Sequence, residues 1–229
     1  MYTKGDFHIH STCSDGGLTP SEIVKLAKRK EVDIISITDH NNTDGIDEAI
    51  EEGKSQGIRV IPGVELSTRY NKCRVHVLGY FKDDSYNNEL LKIVLLKVRQ
   101  GNIKELRKIF YNNIDFCGYK DKLCVKTGVD ILKFFGATVV LAHPVLLCKK
   151  DFENIINIDF DGIEAKYYKN TDEDTKYLIN IAKERNMIYT AGSDFHDYIE
   201  YYRVHGMIGD VYLNQEEIRE FLNKLSIDE

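Results

Sequence analysis

The sequence predicts an α/β fold with a mainly parallel sheet and helices outside it. Two observations carry this. Short apolar runs of strand length alternate with helical segments through most of the 229 residues, the pattern of βα units. Helix-start and helix-stop residues also fall between those runs rather than inside them.

In order, Phe7 to Ile9 reads as a strand. Thr19-Pro20-Ser21-Glu22 opens a helix: Thr19 is the N-cap, Pro20 takes the first helical position, and Glu22 closes a capping box. Ile23, Leu26 and Ala27 give it an apolar stripe. Ile34 to Thr38 follows as a buried strand. A second helix runs from about Gly45 to Gln56 and stops near Gly57. Arg59 to Glu65 and Arg74 to Gly79 are the next strands. Residues 82–135 are charged and mostly helical, with one long amphipathic segment near Glu89 to Tyr111, and read as an inserted helical cap. The remainder, residues 1–81 and 136–229, forms the main domain. Alternation resumes with strands at Ala137 to Ala142, Gly162 to Ala165 and Met187 to Ala191. Helices are expected near Asp151 to Ile156, Asp172 to Glu184, and Gln215 to Leu225 behind an Asn214 cap.

The formal net charge of -6 gives no global basic field, which argues against long duplex nucleic acid but not against a small phosphorylated ligand. No run approaches the ~18 consecutive apolar residues of a membrane span, and residues 1–6 carry no apolar signal core. Five cysteines, scattered and without a C-x-x-C pair, predict no disulfide framework and a reducing, cytoplasmic setting.

In parallel α/β folds the chemistry sits at the C-terminal strand ends. Six of the seven histidines lie in or just after predicted strands. His8 and His10 alternate on one strand and so share a face; Asp15 follows in the next loop. His40, Glu65 and His143 end strands, His76 lies in one, and Asp194 and His196 follow the last. Imidazole and carboxylate suit Zn, Mn or Fe without cysteine. Nine such donors exceed the needs of one ion, so two or three divalent ions are expected, with Glu65 suited to bridge. Bound ions can activate water and, about 3.5–4 Å apart, clamp an in-line displacement at phosphorus. Glu65 and Asp39 are the candidate catalytic carboxylates; Asp39, beside His40, either orients a ligand or shuttles a proton, or else caps nearby amides. Arg69, Lys72 and Arg74 are candidate phosphate contacts. Lys166 and Tyr167 are candidate contacts for phosphate and base. His205 fits no motif and reads as structural, and Tyr201, Tyr202 and Arg203 as loop residues.

F-H-I-H-S-T-C-S-D-G at 7–16, T-D-H at 38–40, P-G-V-E at 62–65, A-H-P at 142–144 and G-S-D-F-H at 192–196 resemble the motifs of the PHP (polymerase and histidinol phosphatase) family, in family order. The resemblance implies a distorted (β/α)7 barrel and a three-metal site. It divides the donors as His8, His10, Glu65 and Asp194; Glu65, His76 and His143; and Asp15, His40 and His196. V-H-V-L-G-Y and D-G-I-E-A bring the chain nearest the nucleotide-phosphoesterase branch, although the arginine that often follows A-H-P there is absent. The implied reaction is phosphate-ester hydrolysis by metal-activated hydroxide, on a 3′,5′-nucleotide bisphosphate or a short oligonucleotide end. A histidinol-phosphate-type phosphatase, a 3′ to 5′ exonuclease and a non-enzymatic metal-stabilised module are the alternatives.

Overall fold

The computed structural model describes residues 1–117, 122–198 and 205–228. Tyr201, Tyr202 and Arg203 fall outside the described residues. The first strand, β1 (Lys4–Ile9), is followed by helix α1 (Pro20–Arg29), β2 (Ile34–Ile37), α2 (Ile46–Gln56), β3 (Arg59–Val60), β4 (Gly63–Tyr70) and β5 (Cys73–Tyr80). The Thr19 capping box forms as predicted, and Gly57 ends α2 in the left-handed conformation. Helices α3 (Glu89–Arg99), α4 (Ile103–Phe110) and α5 (Val125–Phe134) come next. The chain ends with β6 (Thr138–Leu141), α6 (Lys149–Ile155), β7 (Gly162–Tyr167), α7 (Asp172–Glu184), β8 (Ile188–Gly192), β9 (Leu213–Asn214) and α8 (Gln215–Leu225).

The strands form two sheets, ordered β3-β2-β1-β9 and β4-β5-β6-β7-β8. Pairing is mixed: β1-β2-β3 and β6-β7-β8 are parallel, while β4-β5, β5-β6 and β1-β9 are antiparallel. This corrects the mainly parallel expectation. The reason is the β4-β5 hairpin, whose turn at Asn71-Lys72 is too short for a parallel crossover. The predicted strand Arg59 to Glu65 is also two strands. Ile61 donates its N–H to Ile35 at 2.8 Å, whereas the Pro62 carbonyl accepts from Phe81 at 2.9 Å. The chain thus passes from one sheet to the other at a residue that has no N–H of its own.

The sheets meet at two seams, through the isolated bridges Ile9↔Phe195 and His40↔Glu65. A glycine stands at each seam. A Cβ on Gly63 would collide with Ser36 Oγ, and one on Gly192 with the His8 Cβ. Only a residue without a side chain lets the strands approach this closely.

The expected long helix from Glu89 to Tyr111 is broken. Gly101 takes φ +67°, and Asn102 accepts from the Glu105 N–H to cap α4. α3, α4 and α5 bury Leu91, Val94, Leu106 and Val129 in the same apolar cluster as Val64, Val77 and Leu141 of the sheet. Residues 82–135 therefore have a core in common with β4-β5-β6. A second cluster joins Phe7, Tyr80 and Phe221; Phe7 and Phe221 pack at 4.4 Å between ring centroids, and the Tyr80 hydroxyl donates to the Phe7 carbonyl at 2.8 Å. Burial of each such ring contributes about 1.5–3 kcal/mol.

The cysteine expectation fails at one point. Cys117 and Cys124 are joined by a disulfide across seven positions. Cys124 is the N-cap of α5, so the helix start brings the second sulfur back to the first, a pairing that C-x-x-C spacing does not reveal. Cys13, Cys73 and Cys148 are free. No helix among the described residues is long and apolar enough to cross a membrane.

Candidate metal centre

All nine predicted donors meet over the two seams. Glu65, 1% exposed, is the hub. Its carboxylate oxygens lie 3.3 Å from His8 Nε2, 3.2 Å from His10 Nε2, 3.0 Å from His40 Nδ1, 3.0 Å from His76 Nδ1 and 3.1 Å from His143 Nε2. Asp194 Oδ1 lies 3.4 Å from His8 Nε2, 3.1 Å from His10 Nε2 and 3.6 Å from His196 Nδ1. Asp15 stands 3.6 Å from His10, 3.7 Å from His40 and 3.4 Å from His196.

The backbone aims these groups. Asp194 donates its N–H to the His8 carbonyl, and His10 to the Phe195 carbonyl, both at 2.9 Å. This stitches β1 to the turn after β8. His143 (φ 29°) and Asp194 (φ 52°) adopt left-handed backbone, which costs on the order of 1–3 kcal/mol each and clusters at functional sites. Glu164 reinforces the arrangement: one oxygen lies 2.9 Å from His8 Nδ1 and the other accepts the His143 N–H at 2.7 Å. With Nδ1 donating to Glu164, His8 Nε2 presents its lone pair to the cluster.

The donors overlap in groups whose ligand atoms lie within 4.8 Å of one another: His10, Asp15, His40 and His196; His8, Glu65 and His143; His8, His10 and Asp194; His40, Glu65 and His76; and, with His205, Asp194 and His196. The chemistry of this set fits cations. Of the five imidazoles around Glu65, only His143 meets it with hydrogen-bond alignment. His8 Nε2 and His10 Nε2 are 3.1 Å apart, and His10 Nδ1 is buried with no hydrogen-bond partner. Imidazole nitrogens and carboxylate oxygens that converge on shared points, one ring nitrogen among them lacking a partner, are an arrangement a metal ion satisfies.

Without metal the cluster is held by charge. Burial opposes protonation of His10, but contacts with Asp194 and Glu65 more than offset it and raise its pKa to about 9. Burial pushes Glu65 up, yet His76 and His8 hold it well below the usual carboxylate range. Asp194 is lowered in the same way, chiefly by His8 against its burial.

The other predicted residues divide. Arg69 and Arg74 line a cavity of about 350 Å³ that opens on Asp15, His40 and His76. Lys72 sits exposed in the hairpin turn, where its carbonyl accepts from the Arg69 guanidinium at 3.0 Å. Lys166 turns away from the cluster: its ammonium pairs with Glu217 at 2.6 Å. Tyr167 faces the cluster and donates to Asp194 Oδ2 at 2.9 Å, which makes it a carboxylate partner and not a free stacking surface. Asp39 touches no histidine through its carboxylate; it accepts from the Ser11 N–H at 2.7 Å, the Ser11 hydroxyl at 2.6 Å and the Ser14 hydroxyl. It caps the loop that carries Asp15. Two residues escape sequence reasoning: Glu164, inside D-G-I-E-A, which marks no donor, and His205, which reads as structural. His205 stacks on His196 at 3.8 Å between centroids, and its Nδ1 lies 3.3 Å from Asp194. No local motif marks it; only the fold brings it there.

A mixed α/β fold with overlapping histidine–carboxylate donor groups at strand ends defines a candidate metal-binding protein. The PHP domain profile matches residues 6–226, and the chain belongs to that family of metal-dependent phosphoesterases. A 5′-3′ exoribonuclease from Haemophilus influenzae is 37% identical over 254 residues, covering 86% of this chain and 91% of that protein. A 3′,5′-nucleoside bisphosphate phosphatase from Chromobacterium violaceum is 33% identical over 104 residues, which cover 45% of this chain and 36% of that protein. The solved structure of a C. violaceum amidohydrolase with bound sulfate has the same fold, with a TM-score of 0.76 at 21% identity over 96% of both chains.

Proposed function

We propose that the chain hydrolyses a phosphate ester of a small nucleotide, either a 3′,5′-bisphosphate or the phosphorylated end of a short oligonucleotide. The carrying observation is the shared use of Glu65 by overlapping donor groups, with the donors Asp15, His40 and His76 lining a cavity that also has basic side chains. Two or three divalent ions, Mn, Fe or Zn, are the proposed cofactors; when bound they supply an activated water nucleophile and neutralise charge on the phosphoryl oxygens. Asp15, His40 and His196 would hold one; His8, His10, Asp194 and Glu65 another; Glu65 with His76 and His143 a third. Glu164 fixes the His8 tautomer, and Tyr167 and His205 hold the outer oxygen of Asp194. β1, β2, β4, β5, β6, β7 and β8 are read as a distorted (β/α)7 barrel whose two seams carry the site.

Phosphate release from adenosine 3′,5′-bisphosphate by Mn²⁺-loaded protein tests this, with histidinol phosphate as comparator. Preferential release from the bisphosphate is expected. Release from histidinol phosphate alone would overturn the nucleotide assignment.

A further inference from the structure

We propose that the solvent face of α3 is the interface of a dimer, in which a second copy of this chain lays its own α3 antiparallel across it, centred on Ile93. This goes beyond the hydrolytic reading above and does not depend on it.

Helix α3 has the sequence E-L-L-K-I-V-L-L-K-V-R, which holds more apolar residues than one buried stripe uses. Leu91, Val94, Leu95 and Val98 are that stripe, packed into the core in common with β4-β5-β6. The other three, Leu90, Ile93 and Leu96, are 39%, 46% and 45% exposed. Their spacing of three residues makes them neighbours on one face. A helix that is apolar all round is expected to be covered all round, and a contiguous exposed apolar patch marks an association site. A groove of about 240 Å³ runs beside Ile93 and Leu96, between α3 and residues 41–44, so the face is indented and can receive side chains.

The symmetry of the face identifies its occupant. Leu90 and Leu96 stand three positions before and after Ile93, and Glu89 and Lys97 stand four before and after. A two-fold axis beside Ile93 therefore brings Leu90 level with Leu96 of the second copy, and Glu89 level with its Lys97. Each contact then forms twice, as in any isologous interface. The Glu89 side chain is exposed, and its contact with Lys92 is a loose one at 3.9 Å. Lys97 and Arg99 lie in the last turn, and among the described residues no carboxylate forms an ion pair with either. Antiparallel docking sets the acidic start of each helix against the basic end of the other, an arrangement that the helix dipoles also favour. Parallel docking would set Glu89 against Glu89 and Lys97 against Lys97, so the charges select the two-fold antiparallel pair. A contact of one helix per chain lies at the small end of specific interfaces, which makes the dimer weak and concentration-dependent.

The test is sedimentation velocity over a concentration series, with the exposed Cys73 and Cys148 thiols alkylated so that no intermolecular disulfide forms. It compares wild type, Ile93→Lys, Glu89→Lys, Lys97→Glu, and an equal mixture of the last two. Wild type should pass from monomer to dimer as concentration rises, and Ile93→Lys should stay monomeric over the same range. Each charge variant alone sets like charges against each other and should raise the dimer Kd about tenfold. Their mixture should recover the wild-type Kd, because each chain then meets opposite charges on the other. None of these side chains belongs to the buried stripe, so melting temperatures should match that of the wild type. A wild type that stays monomeric throughout would overturn the proposal. So would a dimer that survives Ile93→Lys, or charge variants that associate no better mixed than alone.

Discussion

Glu164 Oε1 lies 2.9 Å from His8 Nδ1, both fully buried, so the orientation of one metal donor is set by a residue that is not itself among the donors. Replacing Glu164 with Gln keeps the shape but removes the charge that holds the Nδ1 proton. Metal affinity should fall 10–100-fold, read by competition with a chromophoric chelator. Unchanged affinity would show that Glu164 does not orient His8.

Gly192 lies against the same pair. A Cβ there would collide with both the His8 Cβ and Glu164 Oε1. Gly192→Ala should destabilise the chelated protein by about 1–3 kcal/mol in denaturant melts and lower its metal content. A neutral substitution would mean that the seam between β1 and β8 opens freely.

Asp39 acts through the loop it caps. Asp39→Ala frees the Ser11 amide and the Ser11 and Ser14 hydroxyls, at a cost of about 1–3 kcal/mol. It should loosen Asp15 and reduce bound metal measured by elemental analysis, while Asp39→Asn retains part of both. Full metal content in the alanine variant would contradict this role.

The pH dependence has a definite sign. In the metal-free protein the His10 pKa is raised from 6.5 to about 9. Its contribution to metal-free stability is therefore fully present below 6.5 and lost as pH rises through about 9. Metal binding requires the neutral imidazole, so uptake releases protons and strengthens across the same window. The melting-temperature gap between loaded and chelated protein should widen from pH 6.5 to 9. A narrowing gap would contradict the assignment of His10 as a donor.

Much of the site was legible in the sequence because strand-end donors are local: H-x-H alternation puts two side chains on one face, and T-D-H and A-H-P put theirs just past the ends of apolar runs. What was not legible depends on contacts between distant segments. The role of Glu164 depends on its side chain reaching from β7 to His8 on β1, and His205 meets Asp194 from eleven positions along the chain. Lys166 and Tyr167 are adjacent in sequence, yet one turns to Glu217 and the other to Asp194; the register shift between Glu164 and Lys166 defeats a simple alternation argument. The break at Gly101 was visible as a glycine, but helical periodicity on both sides masked it.

The most direct test of the central claim is elemental analysis of bound metal, alongside phosphate release from adenosine 3′,5′-bisphosphate, before and after chelation and in Glu65→Ala. The account predicts at least two ions per chain, turnover abolished by chelation and restored by Mn²⁺, and neither full metal content nor turnover in Glu65→Ala. Turnover that survives exhaustive chelation, or persists in Glu65→Ala, would contradict it.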